Sequence, residues 1–186
     1  MNLEKTILVT GSTSGIGLAI VEKFYGEYCN VVIVGKVKLP VLRQLRKKFD
    51  KDRSLILNLD LTKVKNIKKL IFKVQKKFKK IDILVNCAGM QVVSSIDKYK
   101  EDIWKKLVDI NLNAAFYMTK YILPIMRKNN WGRIINIAST HGLIGSINKS
   151  AYTASKHGIV GLTKVTALET AKERITCNSI CPGFVL

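Results

Sequence analysis

Thr6-Ile7-Leu8-Val9-Thr10, an apolar run with β-branched residues, passes straight into Gly11-Ser12-Thr13-Ser14-Gly15-Ile16-Gly17 and then into Leu18, Ala19, Ile20, Val21 and Phe24. This order reads as strand, glycine-rich turn and helix start. Glycines at 11, 15 and 17 permit a tight turn, a close backbone approach to a pyrophosphate and tight packing of helix on sheet, with the phosphates at the helix N-terminus. The spacing is G-x-x-x-G-x-G, so the turn by itself also admits a plain strand-to-helix loop.

Outward from this turn, strand and helix patterns alternate. Strands are expected near 5–10, 30–35, 54–59, 81–87, 132–138 and 175–181, and helices near 15–26, 39–49, 64–79, 99–128 and 150–172. Alternation of this kind implies an α/β fold, a parallel sheet covered by helices on both faces, in one domain over 1–186. Its strand ends would place Gly11, Asp60, Asn86, Ser139 and Pro182 along one edge, where ligands bind in such sheets.

A second stretch carries the chemistry. Ser139-Thr140-His141 is followed by Ser150-Ala151-Tyr152-Thr153-Ala154-Ser155-Lys156, so that a tyrosine and a lysine stand one helical turn apart. Moving a phenol from its usual pKa toward neutrality asks for about 3 units, or about 4 kcal/mol of preferential stabilisation of the phenolate. A fixed ammonium supplies part of that, and an oxidised nicotinamide would supply more. The Ser139 hydroxyl would hold the substrate oxygen. The three residues read as a proton-transfer site that works with a hydride carrier.

Taken together, the chain resembles the short-chain dehydrogenase/reductase family over essentially its whole length. The glycine motif is met by Thr10 to Gly17, the Asn-Asn-Ala-Gly motif by Asn86-Cys87-Ala88-Gly89, the helix asparagine by Asn111, and the rest of the tetrad by Ser139, Tyr152 and Lys156. The resemblance implies a Rossmann-type doubly wound sheet in three αβα layers. It implies that Asn111 holds a helix kink and a water leading from Lys156 to solvent, while Lys156 also grips the nicotinamide ribose. The dinucleotide would lie on Gly11, Thr13, Ser14, Gly15, Ile16 and Gly17, on Asp60 and Leu61 at the adenine, on Asn86, Ala88 and Gly89, on Tyr152 and Lys156, and on Pro182, Gly183 and Val185. Cys87 replaces the second asparagine of its motif, which bears on the hydrogen bonding of that loop.

Within the family, Gly132-Arg133-Ile134-Ile135-Asn136-Ile137-Ala138-Ser139, His141-Gly142-Leu143, Asn148-Lys149-Ser150-Ala151-Tyr152 and Lys164 to Ala171 are similar to the D-3-hydroxybutyrate dehydrogenases. There the substrate carboxylate is held by the counterparts of Gln91, His141 and Lys149, which implies a small hydroxy or keto acid as substrate and interconversion of (R)-3-hydroxybutyrate with acetoacetate. After the second strand stands Gly35-Lys36, where an acidic residue would bond the adenosine ribose. Lys36 alone would accept a 2′-phosphate and favour NADP. The resemblance points to NAD, which is the expected cofactor.

The 186 residues, 47% apolar, fit one globular domain. The formal charge is +19, from 32 Lys and Arg against 13 Asp and Glu. Between Val64 and Lys80 the apolar residues Val64, Ile67, Leu70, Ile71, Val74 and Phe78 recur at helical spacing and leave most lysines to the opposite face, which reads as a solvated helix surface. No aromatic interleaving or binding motif points to nucleic acid. The charge would also draw an anionic substrate and cofactor. No apolar run reaches the roughly 18 residues of a membrane span, the first strand leaves no room for a signal peptide, and Cys29, Cys87, Cys177 and Cys181 read as free thiols of a cytoplasmic protein. Cys177 and Cys181 lack two further ligands, so no metal is expected. Ala151, Ala154, Ser155, Gly158, Gly161 and Leu162 form a small-residue stripe suited to a homo-oligomer. Family members continue beyond the Pro182-Gly183 motif with a covering helical lid, a further helix and a seventh strand. The expectation here is a sheet without the last helix and strand, and a second reading is a catalytically inactive relative that binds nucleotide.

Overall fold

The computed structural model describes residues 5–184, and Val185 lies outside the described residues. The elements follow in order as β1 (Thr6–Thr10), α1 (Gly15–Gly26), β2 (Asn30–Gly35), α2 (Leu39–Lys48), β3 (Ser54–Asn58), α3 (Val64–Phe78), β4 (Ile83–Asn86), α4 (Glu101–Val108), α5 (Ala114–Lys128), β5 (Gly132–Ile137), α6 (Ser150–Glu169) and β6 (Ile175–Ile180). Short 3-10 turns occupy Ile96–Lys98 and Thr140–Gly142. All neighbouring strands pair in parallel, in the order β3-β2-β1-β4-β5-β6.

Alternation along the strands sorts the core into two layers. Leu8, Val32, Leu84 and Ile134 face one way and meet Ile67, Leu70 and Val74 of α3 and Met118, Ile122 and Met126 of α5. Ile7, Val9, Val31, Ile33 and Val85 face the other way and meet Val21 of α1 and Leu45 of α2. β1, the strand that opens the glycine turn, is buried along its whole length, as a central parallel strand covered on both faces must be. The lysines of α3 stand exposed opposite Ile67, Leu70, Ile71 and Val74, as the helical spacing implied.

Two helices depart from the sequence expectation. The helix expected over 99–128 is interrupted: a five-residue π-turn, Asp109–Asn113, joins α4 to α5. Asn111 sits in that widened turn with its side-chain amide bonded to a neighbouring loop, and a π-bulge of this sort is how a helix accommodates a side chain aimed at a site. The last helix stops at Glu169 rather than 172, where the Thr170 hydroxyl turns back to the carbonyls of Thr166 and Ala167. The small-residue stripe also divides. Ala151 and Ser155 are buried, and a Cβ at Gly158 would lie 2.8 Å from Leu112 of the same chain, whereas Ala154 and Gly161 face outward.

The tightest packing lies where α1 leaves β1. A Cβ added at Gly17 would sit 2.5 Å from the Gly11 carbonyl oxygen and 2.9 Å from Ser12 Cα, and backbone cannot step aside. Gly17→Ala is expected to destabilise the protein by about 2 kcal/mol in urea denaturation, the scale of core overpacking. Gly26→Ala, with nothing within 4 Å of the added carbon, is the control and should be neutral or slightly stabilising. Equal effects at the two positions would show that the close approach is not a constraint.

Candidate active site

The chain leaves β1 through Gly11 at φ 64°, where a Cβ would also lie 2.6 Å from Ala88 Cα. Glycine is required there for both reasons. Thr10 Oγ1 accepts hydrogen bonds from the backbone N–H groups of Cys87 and Ala88, each at 3.0 Å, and so ties the end of β1 to the loop after β4. The loop is held through its backbone, so cysteine in place of asparagine at 87 leaves those bonds intact. On the other side, Ser12 Oγ donates to Val9 O at 2.6 Å and accepts from Val34 N at 3.0 Å, which fixes the turn against β2.

Above this junction two cavities meet, sharing Gly11, Ser14, Gly89 and Met90. The larger, 510 Å³, is lined by Thr13, Lys36, Asp60, Leu61 and Ala88, and by Lys106 and Ile110, which the sequence reading missed. Ile110 was within reach of that reading, since it directly precedes Asn111; nothing in the sequence marks Lys106. The smaller, 340 Å³, is lined by Ile16, Gly17, Gln91, Ser139, Tyr152, Lys156, Pro182 and Gly183, together with Cys87. A bent, two-lobed space with a glycine turn and the start of α1 at its waist fits a dinucleotide: adenosine in the larger lobe, the nicotinamide half in the smaller and the pyrophosphate between them. Gly15, at φ 52°, shapes the turn without lining either lobe.

Asn86 requires a correction. It was expected at the cofactor, but the residue is buried and its side-chain amide points into the layer beneath, donating to Asn136 Oδ1 at 2.8 Å and reaching Thr119 Oγ1 at 3.5 Å. Asn136 in turn donates to Thr163 Oγ1 at 2.8 Å. These bonds tie β4, β5 and α6 together just under the site. At the adenosine lobe, Lys36 Nζ lies 3.2 Å from Asp60 Oδ2. The Asp60 carboxyl is held down at about 2, first by the Thr62 hydroxyl and then by the Thr62 backbone N–H and Lys36. Asp60 is therefore an anion at neutral pH, and Lys36 is already paired.

The residues expected to transfer a proton arrive from separate elements. Ser139 stands just beyond β5, and Tyr152 and Lys156 lie one turn apart on α6, with Lys156 Nζ 5.6 Å from the Tyr152 ring centroid. Lys156 is buried and donates to the carbonyl of Ile137 at 2.7 Å, which ends β5 and orients the ammonium. No direct hydrogen bond joins Asn111 to Lys156. Its Oδ1 accepts from Met90 N at 2.8 Å and its Nδ2 donates to Met90 O at 2.9 Å, while Oδ1 and Lys156 Nζ both face Gly89. A third, 170 Å³ lobe opens beside Tyr152 and Ser139, and Gln91, His141 and Lys149 all line it. Lys149 is placed there by a parallel bridge to Ser94, with Ser94 N bonded to Asn148 O at 2.9 Å. All three residues expected at a carboxylate thus share one wall system with Ser139 and Tyr152, whereas Asn111 lines none of the three lobes.

Burial pushes the Lys156 ammonium down from 10.5 to about 8, with Cys87 and Cys181 weakly opposing. A lysine whose folded pKa lies below its unfolded value destabilises the fold while charged, fully below about pH 8, and that penalty disappears as pH rises toward 10.5. The shift corresponds to about 3 kcal/mol. The stability of Lys156→Met relative to the parent protein should therefore be highest at pH 7 and fall by up to about 3 kcal/mol between pH 8 and 10.5. A difference that stays constant across this window, measured by denaturant unfolding, would remove burial of the charge as its origin.

Comparison with known proteins agrees with this geometry. The profile of the short chain dehydrogenase family matches residues 5–186. The chain is 45% identical over 183 residues to a D-beta-hydroxybutyrate dehydrogenase of Cupriavidus necator, covering 98% of this chain and 71% of the relative. It is 43% identical to a D-beta-hydroxybutyrate dehydrogenase of Rhizobium meliloti, covering 99% of this chain and 72% of that one. The crystal structure of a short-chain dehydrogenase from Streptomyces avermitilis superposes with a TM-score of 0.94 at 28% identity, over 100% of this chain and 68% of the other.

Proposed function

The chain belongs to the short chain dehydrogenase family, and from that premise we propose that it interconverts (R)-3-hydroxybutyrate and acetoacetate by hydride transfer with NAD. The observation that carries the reading is the 170 Å³ lobe in which Gln91, His141 and Lys149 converge next to Ser139 and Tyr152. A lobe of that size beside a proton-transfer pair fits a short hydroxy acid whose carboxylate meets one cation and neutral donors, with its hydroxyl at the tyrosine. The two relatives named above share the chemistry in their names.

The nicotinamide, if held in the smaller lobe by the residues that line it, would supply the hydride acceptor and, reduced, the hydride donor. Ser139 orients the substrate oxygen. The Tyr152 phenolate takes the proton from the alcohol in one direction, and the Tyr152 phenol gives a proton to the carbonyl oxygen in the other. Lys156, desolvated and held by Ile137 O, places a cation beside the phenol and stabilises its phenolate form. Preference for NAD over NADP rests on the Lys36–Asp60 pair: a 2′-phosphate arriving there would face the Asp60 carboxylate and a lysine already neutralised. The four cysteines are free thiols, which supports a reducing, cytoplasmic setting. Among the described residues no helix is long and apolar enough to cross a membrane. Exposed Phe116 on α5 and Val165 and Leu168 on α6, beside the outward Ala154 and Gly161, support association with further copies of the chain.

The direct test is reduction of NAD with (R)-3-hydroxybutyrate. Tyr152→Phe should lower kcat by about 100-fold or more, the range of a lost general acid/base, while NADH binding followed by fluorescence stays close to that of the parent. Near-normal turnover of this variant would dismiss Tyr152 as the proton carrier. Lys149→Ala should weaken use of 3-hydroxybutyrate by about 2 kcal/mol, roughly 30-fold in kcat/KM, and affect butan-2-ol much less. Equal losses on acid and alcohol would sink the carboxylate assignment.

A further inference from the structure

Ser139 Oγ has two lone pairs and one proton to place. The backbone N–H of His141 donates to it at 3.2 Å, and His141 Nδ1 lies 3.3 Å away. The imidazole is braced edge-on against Tyr152, with ring centroids 5.9 Å apart and planes at 70°. Two placements of hydrogen satisfy this contact. If the hydroxyl donates to Nδ1, its one proton is spent on the ring and cannot serve a reacting oxygen. If Nδ1–H donates to Oγ, both lone pairs are filled and the hydroxyl can only donate outward, into the cavity.

We propose that His141 is a positioning residue for Ser139 and that the substrate's own carboxylate selects the second arrangement. This rests on the hydroxy-acid reading of the site. His141 and Lys149 line the same 170 Å³ lobe, and among the described residues no carboxylate side chain lines it. Of the ionisable groups facing the imidazole, Lys149 comes from the loop before α6 and Tyr152 from α6, with Lys156 beyond it. An anion in the lobe favours the ring that carries a proton on both nitrogens. Nε2–H is then free for the carboxylate while Nδ1–H holds Ser139 with its O–H turned to the reacting oxygen. Recognition of the acid end thereby arms the donor at the alcohol end, so that the carboxylate contributes to turnover as well as to affinity.

Substitutions that keep one ring nitrogen at a time separate this from simple carboxylate binding. Asparagine at 141 reaches the Nδ1 position and glutamine the Nε2 position. With 3-hydroxybutyrate, His141→Asn should keep kcat within about twofold and raise KM, while His141→Gln should keep KM and lower kcat about tenfold, the scale of one hydrogen bond. In a Ser139→Ala background the two variants should no longer differ in kcat. A histidine that only binds the carboxylate gives the reverse order, with glutamine restoring both constants, and that result overturns the proposal. Ring-nitrogen chemical shifts give a readout independent of turnover. Butyrate added to the NAD-bound protein should protonate both nitrogens of His141, with the Nδ1 shift altered by Ser139→Ala; an Nδ1 left bare in the presence of butyrate also overturns it. If the parent protein fails to oxidise 3-hydroxybutyrate yet shows this nitrogen signature, the substrate reading falls and the coupling stands.

Discussion

Three stretches of backbone meet at van der Waals contact where β1 ends: the carbonyl of Gly11, the start of α1 at Gly17 and the loop at Ala88. Side chains are excluded from this point, and that exclusion organises the molecule. Because α1 can close down on the turn, the N-terminus of the helix faces the gap between β1 and β4, which is where the strand order reverses direction and a crevice opens. The Thr10 hydroxyl then sets the height of the Cys87-Ala88-Gly89 loop by taking its two N–H groups. Both large lobes of the cavity share this floor.

The proposed catalytic geometry depends on a second constraint, the distance between β5 and α6. Ser139 continues from β5, Tyr152 and Lys156 ride on α6, and the sheet and helix must be held to a fraction of an ångström for the three to cooperate. Two attachments do this from opposite sides of the strand end. Above, Lys156 donates to Ile137 O. Below, Asn136 links Thr163 of α6 to Asn86 of β4. Asn86 opens the Asn-Cys-Ala-Gly stretch yet its side chain serves the layer beneath the cavity, because alternation along β4 turns it to the helix face. Lys156 itself is a costly residue for the fold, since burial of an ammonium opposes ionisation, and it lies 5.6 Å from the Tyr152 ring centroid, where its cation would act on the phenol.

The order of strands and helices was legible in the sequence because each element carries its own signal. β1 reads as a buried strand from five apolar or β-branched residues, and α3 reads as a surface helix from apolar residues every three or four positions. The glycine turn and the Tyr152–Lys156 spacing are likewise local: they depend on a turn conformation and a helical repeat, both fixed within a few residues. Periodicity read the helix over 99–128 as unbroken, and only the family resemblance placed a kink at Asn111. The period of that stretch is helical throughout, and the π-turn at Asp109–Asn113 arises from the bond between Asn111 and Met90, a partner distant in sequence that no local pattern encodes.

What the sequence determined by itself, then, was the parallel α/β architecture, the glycine turn and the tyrosine–lysine pair, all consequences of backbone conformation and short-range periodicity. Tertiary structure decided which way side chains point once strands are in register. It turned Asn86 away from the cofactor lobe, brought Lys106 and Ile110 into it, paired Lys36 with Asp60 and divided the small-residue stripe of α6 between an inward and an outward face. Each of these depends on contacts between residues far apart in the chain, and such contacts exist only after the sheet has assembled.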